Sequence, residues 1–272
     1  MLPKISRDET LILSSYSGNT EEVISAFEKG IEHNLSIVII STGGKLIELA
    51  KKHSISYIQM PDTNIQPRNA IGYSLKALLK VIGDEKTLEE LSKLSESLNP
   101  SEYEEEGKEL AEKLKSKVPV IYSSTRNMPI AYNWKIKFNE TGKIPAFYNV
   151  FPELNHNEMA AYGGSGKKQD TITKKFANLF YFIFLEDPAD HPRIKRRMEV
   201  TRKLFADRNL PHSIIELVPS PHYEGGDKGG VFEKIFRSLL IADWAALHTA
   251  DLYGLESEQV PMIEEFKKMM AG

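Results

Sequence analysis

Three hydroxyl side chains, Ser15, Ser17 and Thr20, stand close together in the stretch Ser15-Tyr16-Ser17-Gly18-Asn19-Thr20. The apolar residues Leu11, Ile12 and Leu13 before it read as a short buried strand over 10–14. An amphipathic helix over 20–32 follows, with Glu21 and Glu22 in its first turn. Backbone N–H groups left free at a helix N-terminus attract anions, and hydroxyls add hydrogen-bond donors without adding charge. The Ser-x-Ser-x-x-Thr spacing therefore suits a phosphate group. A common Ser/Thr N-cap and turn is the other explanation, although one capping residue would suffice for a purely structural job.

The elements that must position this loop alternate along the chain. Strands are expected at 36–41 and 57–60, with helices over 45–53 and 69–82 and with Thr42-Gly43-Gly44 turning the second strand into its helix. Such β–α alternation predicts a parallel sheet with right-handed crossovers and helices on both faces. Glu and Lys interleave from 84 to 117, which reads as an exposed helical connector with a solvated face rather than a partner-binding tail. A second cycle starts with the strand 118–125, which again ends in hydroxyls at Ser123, Ser124 and Thr125. A helix is expected over 130–141, followed by a proline-containing stretch over 144–152. Strands at 180–185 and 213–217 alternate with helices over 192–208 and 231–252, and a last helix covers 261–270. The expected organisation is a first α/β domain over 1–90, a connector over 91–117 and a second α/β domain over 118–272.

Composition narrows the function classes. The chain has 272 residues, no cysteine and a net charge of −3. Thiol catalysis and cysteine-ligated zinc or iron–sulfur sites are thus excluded, and no basic footprint for nucleic acid is present. The longest apolar run, 176–185, is too short for a membrane span and is read as a core strand. A cytoplasmic protein is expected. No histidine–carboxylate spacing supplies three metal ligands, so no metal is expected. Gly163-Gly164-Ser165-Gly166-Lys167 lacks the spacing of a Walker phosphate loop, and Gly225-Gly226-Asp227-Lys228-Gly229-Gly230 reads as a mobile surface loop.

Several further motifs occur in order: Pro67-Arg68, Phe138-Asn139-Glu140, Pro152-Glu153-Leu154-Asn155-His156-Asn157-Glu158, Asp190-His191-Pro192-Arg193, and Tyr253-Gly254 followed by Pro261 and Lys267. Together with the hydroxyl loop they resemble the bifunctional phosphoglucose/phosphomannose isomerases from about residue 8 to the C-terminus. The resemblance implies two doubly wound, parallel-sheet SIS (sugar isomerase) domains in tandem. It also implies a hexose 6-phosphate substrate, no cofactor, and a homodimer. Ser15, Ser17 and Thr20 would bind the substrate phosphate. The family's N-terminal helical segment and Gly-Gly-Ser strand have no counterpart before Thr10, so the first domain is expected to be truncated and to leave an apolar strand edge unpaired.

The implied roles fit the chemistry. Aldose–ketose isomerisation moves a proton between C1 and C2 through an enediol, a task suited to one carboxylate tuned near neutral pH. Glu140 matches that base, although an exposed helix-terminal glutamate is its ordinary alternative. Arg68, held after Pro67, matches the guanidinium that stabilises charge on the substrate oxygen; a phosphate-binding or surface salt-bridge arginine is the other reading. His156 matches the ring-opening residue, acting across the dimer interface, and Lys267 matches its partner, although Lys267 also reads as a solvated lysine like Lys268. His191 is expected to cap or pack. A non-catalytic sugar-phosphate sensor would need only the hydroxyl loop, and a structural dimerisation module would need none of these residues. The presence of Glu140, Arg68, His156 and Lys267 together favours an enzyme.

Overall fold

The computed structural model describes residues 9–163, 175–224 and 227–270. They form two compact units, divided between Ser92 and Lys93.

The first unit holds strands β1 (Thr10–Ser14), β2 (Ser36–Ser41) and β3 (Ser56–Gln59). Its helices are α1 (Glu21–Glu32), α2 (Gly44–His53), α3 (Ile71–Ile82) and α4 (Glu85–Ser92). The strands are parallel in the order β1-β2-β3, with Leu13 opposite Ile39 and Ile40 opposite Ile58. Alternate side chains of β2 feed opposite faces, as strand geometry requires. Ile37 and Ile39 pack with Leu13, Phe27, Leu46, Ile47 and Ala50 against α1 and α2. Ile40 packs with Met60 and Ala77 on the α3 side. A strand buried on both faces reads as a continuous apolar run, which is what Ile37-Val38-Ile39-Ile40 is. Among the described residues β1 stands at one end of this sheet and pairs only with β2.

The second unit begins with α5 (Leu94–Ser97) and α6 (Glu104–Lys113). Strands β4 (Val118–Ser124), β5 (Phe147–Phe151), β6 (Phe180–Glu186) and β7 (His212–Glu216) follow, with α7 (Met128–Glu140), α8 (Met159–Gly163) and α9 (Pro192–Ala206) among them. The long helix α10 (Asp227–Leu252) and then α11 (Pro261–Met270) complete it. Its sheet is parallel in the order β5-β4-β6-β7. The core on one face is aromatic: Tyr122, Phe151, Phe182, Phe184 and Phe205 pack with Val120, Leu154 and Met198. Trp134 on α7 is fully buried and donates from Nε1 to Ser238 Oγ on α10 at 2.9 Å.

Four expectations are corrected here. The charged stretch expected as an exposed connector includes α6, whose Leu110 and Ala111 are buried, with Leu114 just beyond it. A Cβ on Gly107 of α6 would stand 2.3 Å from the Trp244 Cβ of α10, so a side chain has no room there. The stretch 144–152 contains a strand, β5, which among the described residues stands at the edge of the second sheet. Residues 227–230 belong to the first turn of α10 rather than to a loop. The apolar run from 176 becomes strand only at Phe180, and Phe176 is 62% exposed. The Gly163–Lys167 stretch falls mostly outside the described residues, as do Gly225 and Gly226. Among the described residues no helix is long and apolar enough to cross a membrane.

Candidate active site

The hydroxyl loop lies where β1 ends and α1 begins. Ser15 is buried, and its Oγ stands 2.7 Å from Thr20 Oγ1 while accepting from the Gly18 amide at 3.2 Å. Ser17 and Thr20 are exposed, and Ser17 Oγ accepts from the Asn19 amide at 3.3 Å. Thr20 occupies the N-cap position of α1, yet its side chain makes no capping bond. Thr20 is thus not a side-chain cap, while Ser15 and Ser17 each accept a local turn bond from a backbone amide of the loop.

Neighbouring backbone holds the loop in shape. The Tyr16 carbonyl accepts from Thr42 N at 3.0 Å and from Thr42 Oγ1 at 2.7 Å, and the Gly18 carbonyl accepts from Leu46 N at 3.0 Å. Asn19 Oδ1 accepts from Lys45 N at 3.0 Å. Gly18 and Gly44 both have positive φ, at 72° and 66°. A Cβ on Gly18 would meet the Gly43 carbonyl oxygen at 1.9 Å, and one on Gly44 would meet the Ser17 carbonyl oxygen at 2.3 Å. Only glycine lets these two strand-end turns approach so closely. Arg68, also in the first unit, is buried within the short 3-10 turn Pro67–Asn69.

The remaining expected residues belong to the second unit, on three separate elements. Glu140 is the last residue of α7 and is half-buried, and its carbonyl accepts from Lys143 Nζ at 2.6 Å. Its neighbour Asn139 accepts from the Ala146 amide at 2.8 Å, which fixes the chain reversal after α7. An open groove of about 460 Å³ beside this reversal is lined by Lys135, Asn139, Lys143 and Phe147. His156 is exposed, directly after the turn Glu153–Asn155. Lys267 lies on α11, where no residue is buried, and pairs with Glu264 Oε1 at 2.7 Å. His191 caps α9 as expected, its Nδ1 accepting from Arg193 N at 3.1 Å.

The second strand-end loop differs chemically from the first. Ser124 Oγ at the end of β4 donates to Asp190 Oδ1 at 2.8 Å, and Asn127 Nδ2 donates to Asp187 Oδ2 at 3.1 Å. Lys234 Nζ on α10 reaches Asp187 Oδ2 at 2.7 Å. Burial pushes the Asp187 carboxyl up, but bonds from Lys234, the Ala189 amide and Asn127 outweigh it and hold the group below the usual range. Asp190 is raised, chiefly by burial, against the bond from Ser124. The hydroxyls of this run are thus satisfied internally, Ser124 by Asp190 and Thr125 by the Phe151 carbonyl. Sequence reasoning saw the repeated hydroxyls but missed their bonds to these carboxylates, because Asp187 and Asp190 reach the loop from the turn that follows β6. Among the described residues no group of three His, Asp or Glu side chains could hold a metal ion.

The bacterial phospho-glucose isomerase C-terminal SIS domain matches residues 103–270. The bifunctional phosphoglucose/phosphomannose isomerase of Caldicellulosiruptor bescii is 34% identical over 286 residues, covering 100% of this chain and 79% of its own length. The chain belongs to this isomerase family. The Aquifex aeolicus member is 30% identical over 268 residues, covering 98% of this chain and 77% of its own. A solved glucose-6-phosphate isomerase like protein from Thermus thermophilus superposes with a TM-score of 0.60 at 15% identity, covering 98% of this chain and 80% of its own, and so shares the fold. The chain is a sugar-phosphate isomerase with an SIS domain over residues 103–270.

Proposed function

We propose that this protein interconverts fructose 6-phosphate with glucose 6-phosphate and mannose 6-phosphate through a shared enediol. The observation that carries the phosphate part is the hydroxyl loop, with Ser15 and Thr20 facing each other 2.7 Å apart beside an uncapped helix N-terminus. Ser15, Ser17 and Thr20 bind the phosphate by hydrogen bonds. Glu140 takes the proton from C2 of the aldose, or from C1 of the ketose, and returns it to the other carbon. Arg68 stabilises the negative charge that develops on the substrate oxygen, more in the transition state than in the ground state. His156, with Lys267, moves the proton that opens the sugar ring.

Glucose and mannose differ at C2, which is flat in the enediol, so one intermediate serves both. The supporting architecture is two SIS domains in tandem, the second of them including α6, acting as a homodimer in which His156 serves the neighbouring subunit. Membership of the isomerase family and the two parallel sheets favour this reading. A coupled assay starting from fructose 6-phosphate tests it by following both aldose products. Glu140→Gln is expected to lower kcat by about a thousandfold or more, as loss of a general base does. Binding of fructose 6-phosphate without turnover of either product would identify a non-catalytic sensor instead.

A further inference from the structure

His156 is exposed, yet the residues on both sides of it are tied into the second unit. Before it, Leu154 is fully buried. Asn155 donates to Thr201 Oγ1 at 3.0 Å and accepts from Arg197 at 3.3 Å, both on α9. After it, the half-buried Glu158 takes donors from three different elements. Its Oε1 accepts from the Tyr122 hydroxyl of β4 at 2.5 Å and from the Tyr162 hydroxyl of α8 at 3.3 Å. Its Oε2 accepts from Asn149 Nδ2 of β5 at 2.5 Å. Asn149 Oδ1 is already used by the Val150 amide at 2.8 Å, which turns the NH2 end of the amide toward Glu158.

The Asn149 NH2 can only donate and both tyrosine hydroxyls donate here, so a carboxylate, which only accepts, satisfies all three at once. Burial, with the Glu158 charge second, raises Tyr122 and pushes Tyr162 up to about 12, so both hydroxyls remain donors at neutral pH. A solvated turn would need no such set of bonds. The geometry points to Glu158 as the positioning residue for His156, its carboxylate fastening the turn to β4 and β5 so that the imidazole is presented in one orientation. This rests on His156 being the ring-opening group.

The test exchanges the two partners in the full-length protein. Glu158→Gln sets an NH2 group against the Asn149 NH2 group, and Asn149→Asp sets two carboxylates against each other. Each single change is expected to lower kcat on fructose 6-phosphate by about 10- to 100-fold with KM changed less than about twofold. Each should also shift or broaden the His156 imidazole NMR signal, assigned by its absence in His156→Gln. The double change N149D/E158Q restores one acceptor and one donor across the gap, while the new amide oxygen still accepts from Tyr122. It should return kcat to within about threefold of the parent and recover the signal.

A Glu158→Gln protein with the parent kcat and an unchanged His156 signal overturns the proposal. So does a folded double variant no better than either single one. If Glu158→Gln does not fold, Tyr122→Phe removes one donor while keeping the ring, and an unchanged His156 signal and kcat in that variant overturn it equally. Turnover that survives His156→Gln refutes the ring-opening role alone, because the imidazole signal still reports whether Glu158 holds the turn.

Discussion

Replacing Gly18 by alanine probes the hydroxyl loop most directly. Its φ of 72° lies in the left-handed region, where a Cβ costs about 1–2 kcal/mol. The added carbon would also stand 1.9 Å from the Gly43 carbonyl oxygen and 2.7 Å from Ser41 Oγ. A carbon–oxygen contact settles near roughly 3.3 Å, so the turn must retreat by about 1.4 Å. Forced movement of this kind costs about 1–3 kcal/mol more, for a total of about 2–5 kcal/mol. The retreat breaks the bond from the Gly18 amide to Ser15 Oγ and the one from Leu46 N to the Gly18 carbonyl.

Hydrogen exchange at the amides of β1 and β2 reads the stability of the first unit, and competition by inorganic phosphate reads the loop. Gly18→Ala should speed exchange and weaken phosphate binding by about tenfold or more. Gly43→Ala is the matched control, since its φ of 177° is extended and a Cβ there meets nothing within 4 Å. It should change neither reading by more than about 0.5 kcal/mol. Equal effects from the two substitutions, or a Gly18→Ala protein with parental exchange and phosphate binding, would refute the close-approach reasoning.

Lys234→Met leaves the Asp187 carboxylate, whose side chain is 1% exposed, without its ammonium partner. A loss of about 3–5 kcal/mol in denaturant unfolding is expected, and one below about 1 kcal/mol would show that the pair is not what holds this loop. Asp190→Asn tests the opposite shift. A carboxyl raised in the folded state keeps its proton when the unfolded chain has lost it, so its stability contribution is full below about pH 4 and is lost as pH rises through the native value. The variant removes that loss, and its stability relative to the parent should rise from pH 4 to pH 7. A flat difference across that window would contradict the raised value.

Much of the scaffold was legible in the amino-acid order. β1 and β2 fall where the apolar runs stand, and α11 covers 261–270 as expected, because buried strands and amphipathic helices carry their periods locally. The strand-end hydroxyls of Ser15 and Thr20 were legible for the same reason, being five residues apart on one turn. Other features were not. β5 was hidden because an edge strand beside prolines has weak periodicity, and its partner β4 is distant in sequence.

Tertiary structure alone decided how the two hydroxyl runs differ. Ser15 meets another hydroxyl, whereas Ser124 meets the Asp190 carboxylate, 66 residues away in sequence. It likewise decided that α6 is covered, since the bare backbone of Gly107 has meaning only once Trp244 lies over it. The clamp on Glu158 draws donors from β4, β5 and α8, and no single segment could reveal it. Local patterns fix which residues form a strand or a helix, because those bonds and periods span a few residues. Which polar atoms meet, and hence what each loop can bind, depends on separations that only the folded sheet closes.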